Sequence, residues 1–377
     1  MPIKVKLNDH NILPLKPYRT KNMMTNYFKD LVVVELAGVL AGPSAGLFFA
    51  ELGANVIKIE NPKTGGDVTR TWKLKTENPS DPSSAYYKSV NHGKQILFLD
   101  LLNLKDLSEF YEIIRTADIL ISNYKLGDDL KLKVDYNTLK AINPGLIYAS
   151  INGFGSNSPR TAYDLILQAE SGFMFMNGEK GSSPLKMPVA LIDILAGHQL
   201  KEAILIALLN RYKTSKGTFI SVSLFDTAIA SLANQATNWL IAHHLPTAQG
   251  SLHPNIAPYG EIFQTSDGHS ITFAIGSDKQ FKHLCEVLAT NLQTNPLYQT
   301  NQQRIINREK LFDELSILIQ HISFENLFER CLISDIPIGK IRNLKEVFEL
   351  EESQRMLNHS ISDGASSVRS ISFQFIS

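Results

Sequence analysis

Cysteine is scarce in this chain, with only Cys285 and Cys331 among 377 residues. Neither belongs to a CxxC or other metal-ligand spacing, so a disulfide framework and a metal site are both disfavoured, and reduced thiols are expected. Charge of one sign is also lacking. The 37 Lys and Arg residues balance 37 Asp and Glu, leaving no global field to attract nucleic acid or an anionic membrane, so phosphate recognition has to be local. No apolar run reaches the roughly 18 residues of a membrane span. The N-terminus has no apolar core of a signal peptide, and a cytoplasmic protein is expected. Internal repeats and low-complexity segments are missing as well. So is a GxxxxGK[ST] stretch, which excludes a P-loop nucleotidase at the level of motif. A dinucleotide turn fails on its glycines. Glu60 lies at a suitable distance to bind a ribose hydroxyl, but Gly38 is followed by Val39 and Leu40 where pyrophosphate would need close backbone approach.

What is present is an alternation of apolar strands and helices. With 44% hydrophobic residues the chain can bury a sizeable core, and its length suggests two to three domains. Residues 1–28 are mildly basic without helix or strand period and read as a disordered extension, with Met23 or Met24 an equally good start. From Leu31, "LVVVELA" reads as a strand, "PSAGLFFAEL" as a helix with Pro43 in its first turn, and "NVIKIE" as a second, parallel strand after Gly53. "QILFLDL", a helix over 104–116, "DILIS" and "LIYASI" continue the pattern. The expectation is an α/β protein with a parallel sheet covered on both faces. A long helix beyond Asp193, buried nearly all round, leads to strand "GTFISVSL" and a second long helix from Phe225. Short strands and turns from about Gly250 mark a smaller α+β domain. The predicted domains are 29–224, a linker helix 225–249, a small domain 250–330, and a return linker with the rest of the large domain over 331–377.

One side chain stands out. "MPVALIDILAG" carries a single carboxylate, Asp193, in a run otherwise without charge. A buried, unpaired carboxylate costs several kcal/mol or gives up its charge. At the entrance of a helix, first-turn N–H groups and the helix dipole can hold the anion. The same position suits a purely structural helix cap.

"GVLAGPSAGLFFAELGANVIKIENPKTGGDVTR", "ADILISNY", "INPGLIYASINGFG", "AYDLILQAESG" and "HPNIAPYGEIFQTSDG", in this order from about Lys29 to the C-terminus, resemble the class III coenzyme A transferases, the family that includes formyl-CoA transferase, carnitine CoA-transferase and α-methylacyl-CoA racemase. The resemblance implies a Rossmann-like large domain whose parallel sheet is built from both chain ends, a small α+β domain, and a homodimer of interlocked ring-shaped subunits. It implies catalysis by Asp193, which would attack an acyl-CoA thioester to form an acyl-aspartyl anhydride and then an enzyme-CoA thioester. The partners are then an acyl-CoA and a carboxylic acid, with coenzyme A part of the substrate and no permanently bound cofactor.

By the same resemblance Val39 and Ala41 would line the pantetheine arm, Asn123 and Tyr124 would contact the pantetheine or adenosine portion, and Lys131 would stand near the nucleotide. Two departures concern this map: "KLG" replaces the family's Arg-Pro-Gly after the Asn-aromatic pair, and Asn61 stands where some members carry an arginine. Lys131 also suits a solvated charged face, and Tyr124 a packed core. Tyr163 occupies the place of the racemases' catalytic histidine, and tyrosine is a poor proton acceptor at neutral pH. A transferase is therefore expected ahead of a racemase or epimerase; a CoA-binding homologue without turnover is the other alternative. Asp164 is either a supporting carboxylate or a cap. Gly197 either admits substrate to Asp193 or packs two helices. No tetraglycine run is present, and Gly250 with Ser251 would supply a shorter lid or a plain linking turn. His198 is assigned no role.

Overall fold

The computed structural model describes residues 27–360 and 364–375; the expectation for residues 1–26 lies outside them. Six strands form one parallel sheet: β1 (Val32–Glu35), β2 (Asn55–Glu60), β3 (Gln95–Phe98), β4 (Ile119–Ser122), β5 (Ile147–Asn152) and β6 (Thr218–Ser223). Their order is β3-β2-β1-β4-β5-β6. The chain winds outward from β1 through β3, then returns to place β4 on the other side of β1. That reversal creates a crevice at the carboxyl ends of β1 and β4.

Both faces of the sheet are covered, which is why its central strands are apolar without alternation. On one face α1 (Ala41–Glu51) packs with the long helix α8 (Leu191–Thr214) over Val33, Val56, Ile119, Ile121 and Ala149. On the other, α3 (Leu104–Thr116) packs Phe110 and Ile114 over Val34 and Leu120. Asn103 starts α3, its side chain accepting the amides of Lys105 and Asp106. Between these elements lie α2 (Ala85–Asn91), α4 (Asp128–Lys131), α5 (Tyr136–Ile142), α6 (Asp164–Glu170) and α7 (Phe173–Met176).

Several expectations are corrected. The parallel sheet is not built from both chain ends: all six strands come from residues 32–223. The C-terminal segment instead forms an antiparallel ribbon whose strands span Leu357–His359 and Ser366–Val368. It docks on α1, where the Glu51 carboxylate accepts the amides of Ser370 and Ile371 and Ile371 enters the core. Phe28, assigned above to the extension, packs its ring at a tilt against Phe48 and Phe49. The single linker helix expected over 225–249 is two helices, α9 (Leu224–Ala230) and α10 (Ala233–Leu240), and the break falls where Ala233, at the start of α10, takes a left-handed φ of 48° that the interior of a continuous right-handed helix does not accommodate.

The smaller unit has a three-stranded antiparallel sheet of β7 (Tyr259–Gln264), β8 (Ser270–Ala274) and β9 (Ile338–Lys340). Its core joins Phe263, Phe273 and Phe281 with Leu315, Leu327 and both cysteines, which are buried and unbonded. Because β9 pairs with β8, the small sheet draws on a segment beyond the predicted end at residue 330. Finally, α8 is not buried all round. Ile206, Leu209 and Tyr212 are 68%, 70% and 93% exposed, so an apolar stripe faces outward.

Candidate active site

A cavity of about 260 Å³ opens at the crevice. Its walls are the Gly38–Ala41 turn after β1, the Ser122–Leu126 stretch after β4, the end of β5 with Gly153, and the Ser158–Tyr163 segment; Asp193 is on its surface. Five expected residues thus come together there: Val39, Ala41, Asn123, Tyr124 and Tyr163 share the cavity with Asp193. Lys131 does not. It is exposed on α4, outside the lining. Asp164, Gly197 and Gly250 lie outside the lining too, each for a different reason.

The turn after β1 is held from two sides. Asn123 clamps it across the crevice, its Oδ1 accepting the Gly38 amide at 3.1 Å and its Nδ2 donating to the Gly38 carbonyl at 2.9 Å. The Asn123 side chain is therefore committed to the backbone. Val39 has φ of 69°, a region in which β-branched residues are outliers. Its amide donates to Asp67 at 3.2 Å. Asp67 pairs with Lys58 at 3.1 Å, Lys58 with Glu35 at 2.9 Å, and Glu35 with Lys94 at 2.7 Å, all with buried side chains. Burial resists these charges, but the two lysines beside Glu35 hold its carboxyl below the usual range. Burial pulls Lys94 down to about 8. Such a chain of paired charges locks the strained turn where the crevice needs it. Beyond the turn, α1 begins with no side-chain cap, leaving its first amides beside the cavity.

Glu60, weighed above against a ribose hydroxyl, is fully engaged. Arg70 donates to it at 2.6 and 3.0 Å, the Tyr87 hydroxyl at 2.7 Å and the Asp67 amide at 3.1 Å. Nothing is left for a ribose.

Asp193 is the third residue of α8, not its cap; the N-cap position belongs to Ala190. It is 8% exposed, and no donor among the described residues reaches its carboxylate. The expectation that first-turn amides hold its anion is overturned. Asp164, first residue of α6, takes those amides itself: its Oδ1 accepts from Ile192 at 2.7 Å and more weakly from Asp193 at 3.4 Å, and its other oxygen accepts from Gln168. Burial, then the Asp164 charge, pushes Asp193 up to about 7. Such a group is divided between acid and anion near neutral pH, and its anion is poorly solvated. A carboxylate perturbed in this way marks a candidate functional site.

The glycines divide clearly. A Cβ on Gly197 would lie 2.1 Å from Ser44 Oγ and 2.9 Å from the Ala41 carbonyl, so its contacts are with α1. Gly250 has φ of 64° and donates its amide to the Gly178 carbonyl at 2.8 Å, tying the entry of the small unit to the loop before α8. Tyr86, on α2, escaped the sequence reading. Burial and then the charges of Asp193 and Asp164 push its phenol up to about 12, so it stays protonated at neutral pH. Its ring meets Trp72 edge-on at 5.2 Å. Only its neighbourhood to Asp193 in space marks it out.

A doubly wound parallel sheet with a proton-poised carboxylate at its switch point defines a protein that works on a ligand held at the carboxyl ends of β1, β4 and β5. The chain belongs to CoA-transferase family III, whose model matches residues 28–372, and it is a CoA-transferase. It is 38% identical to a succinate–glutarate CoA-transferase of Agrobacterium fabrum over 84% of this chain and 80% of that one. It is 35% identical to the human succinyl-CoA:glutarate CoA-transferase over 84% and 72%. Among solved structures, a CaiB/BaiF family protein from Brucella suis superposes with a TM-score of 0.80 at 35% identity, covering 93% of both chains.

Proposed function

We propose that Asp193 is the nucleophile of CoA transfer between two carboxylic acids. Its carboxylate attacks the thioester carbonyl of the donor, the C–S bond breaks, and CoA leaves as thiolate, with the acyl group on Asp193 as a mixed anhydride. The thiolate returns to the Asp193 carbonyl, releasing the donor acid as its carboxylate and leaving CoA in thioester linkage to Asp193. An acceptor carboxylate then attacks this thioester, expelling thiolate and forming a second anhydride. Attack of the thiolate on the acceptor's carbonyl yields the new acyl-CoA and frees Asp193.

The observation that carries this reading is the Asp193 carboxylate itself, unbonded and largely withdrawn from water on the wall of the switch-point cavity. Desolvation strengthens a carboxylate as a nucleophile and limits hydrolysis of an anhydride. The Val39 turn and the uncapped start of α1 would receive the pantetheine arm, with Tyr124 beside it. Tyr86 and Tyr163 would donate to the oxyanion of the tetrahedral intermediates. Gly250 and Ser251 would serve as a short lid. Relatives named for succinate and glutarate suggest short acids as substrates.

The exposed stripe of Ile206, Leu209 and Tyr212, with Trp239, Leu240 and Ile241 on α10, supports a homodimer, interlocked as the family resemblance implies. Among the described residues no helix is long and apolar enough to cross a membrane, which agrees with a cytoplasmic enzyme. Incubation with an acyl-CoA and mass spectrometry of the Asp193 peptide tests the proposal. An acyl or CoA adduct is expected, lost in Asp193→Ala together with exchange. Undiminished exchange in that variant would refute it, and solvent deuterium at the α-carbon without a second acid would indicate a racemase instead.

A further inference from the structure

Gln168 stands one turn along α6 from Asp164 and is fully buried, where an unpaired carboxamide would be costly. Both ends of it are in use. Its oxygen accepts the Met187 amide at 2.8 Å, and its nitrogen donates to Asp164 Oδ2. Turning the group over would set donor against donor and oxygen against carboxylate, so its orientation is fixed by the two partners. Met187 belongs to the loop between α7 and α8. That loop is gathered by Asn177, whose Nδ2 donates to the Leu185 carbonyl at 3.0 Å, and it is held from the small unit by the Gly250 amide on Gly178.

The other oxygen of Asp164 accepts the Ile192 and Asp193 amides, which lie in the first turn of α8 and have no acceptor within that helix. Three pieces of chain therefore meet on one carboxylate: α6, which carries it, the loop ahead of α8, and the start of α8 itself. Among the described residues Gln168 is the only partner of Oδ2. Without it the carboxylate is free to turn about its Cβ–Cγ bond, and the oxygen on the α8 amides is no longer held there. Other charged or titratable groups come from the surroundings of α8: Glu51 at the far end of α1, Asp226 on α9, Tyr86 on α2, and Lys125, Asp129 and Arg160 on the cavity wall. Beside burial, however, Asp164 is the group that acts on the Asp193 carboxyl.

We propose that Gln168 is a positioning residue of the reaction, which clamps Asp164 between the loop and α8 and thereby fixes where the Asp193 carboxyl stands. Its bearing on catalysis rests on the nucleophilic role of Asp193 given above.

The test uses the full-length protein. Gln168→Met removes both hydrogen bonds at nearly constant volume; Gln168→Asn, one methylene shorter and unable to span both partners, serves if the first variant does not fold, as melting temperature would show. In CoA exchange between succinyl-CoA and a free acid, kcat is expected to fall about tenfold or more while KM for the thioester stays within about twofold. The acid limb of the pH–rate profile should move at least about half a pH unit lower. Thermal melts read the same change without turnover: the pH above which Asp193→Asn melts higher than its parent should fall by a similar interval when the parent carries the Gln168 substitution. In an Asp164→Asn background Gln168→Met should move neither the limb nor the melts. Lower activity with limb and melts unmoved would make Gln168 a packing residue and overturn the proposal, as would a displacement that persists in Asp164→Asn. Displaced melts in a protein whose exchange is absent, or survives in Asp193→Ala, would refute the Asp193 chemistry and leave the Gln168 clamp standing. Exchange that requires Asp193 with an unmoved limb would refute the clamp alone.

Discussion

Asp164 accepts the Asp193 amide at 3.4 Å while its charge disfavours ionisation of the Asp193 carboxyl. One side chain thus caps the start of the helix that carries Asp193 and raises the affinity of Asp193 for its proton. The Asp164→Asn variant should separate the two effects. An Asn oxygen can still cap Ile192, so the fold should hold, while the acid limb of the pH–rate profile, expected near pH 7 in the wild type, moves to lower pH. Asp164→Ala should in addition lose about 1 kcal/mol from the missing cap, measured by urea unfolding.

Replacing Asp193, the proposed nucleophile, should reveal its cost to the fold. A carboxyl raised from 3.8 to about 7 binds its proton more tightly when folded, so its contribution to stability is full below the unfolded value and is lost as pH rises through the folded one. Asp193→Asn should therefore melt like the wild type near pH 4 and be more stable at pH 8, by about 2–4 kcal/mol at most. Thermal melts across this range check the sign. A gain confined to acid pH would contradict the raised value.

The Val39 turn depends on buried charge. Asp67→Asn leaves Lys58 with Glu35 alone and weakens the bond that holds the Val39 amide. A loss of about 3 kcal/mol in stability is expected, as for breaking a buried pair. In the variant that still folds, KM for the CoA thioester should rise more than kcat falls. Asn123→Ala, which frees both backbone groups of Gly38, should act on KM in the same direction at a stability cost of about 1–3 kcal/mol.

Gly197→Ala tests whether this glycine serves packing. The added methyl would overlap Ser44 and crowd the Ala41 carbonyl, forcing α1 and α8 apart, and a cost of about 1–3 kcal/mol is expected. Ser44→Ala in the same chain should return only part of it, since the carbonyl contact remains. Calorimetric melting of the single and double variants reads the difference.

Much of this molecule was legible in the linear text. The apolar runs at residues 32–35, 55–60, 119–122 and 147–152 could be buried on both faces only in a parallel sheet, and the 3.6-residue period at 104–116 marked α3 with its ends. Asp193 drew attention because charge is expensive among Leu191, Ile192, Ile194 and Leu195. What escaped were relations that no local pattern encodes. The break at Ala233 sits inside a periodic apolar run. The β9 strand is three residues whose pairing with β8 depends on a long return of the chain. Asn123 looked like a ligand contact, yet its amide closes on Gly38, and Ile371 joins the core only because the C-terminal ribbon folds back onto α1.

By itself the sequence determined the alternation of strands and helices that makes a parallel sheet, the presence of a carboxylate where solvent is scarce, and the kinship of the chain, because periodicity and burial cost are written residue by residue. Only the tertiary structure decided the state of that carboxylate. Whether an aspartate at a helix start is held as an anion or pushed toward its acid depends on which neighbour takes the helix amides, and here Asp164, brought in from another helix, takes them and leaves Asp193 with burial and a like charge.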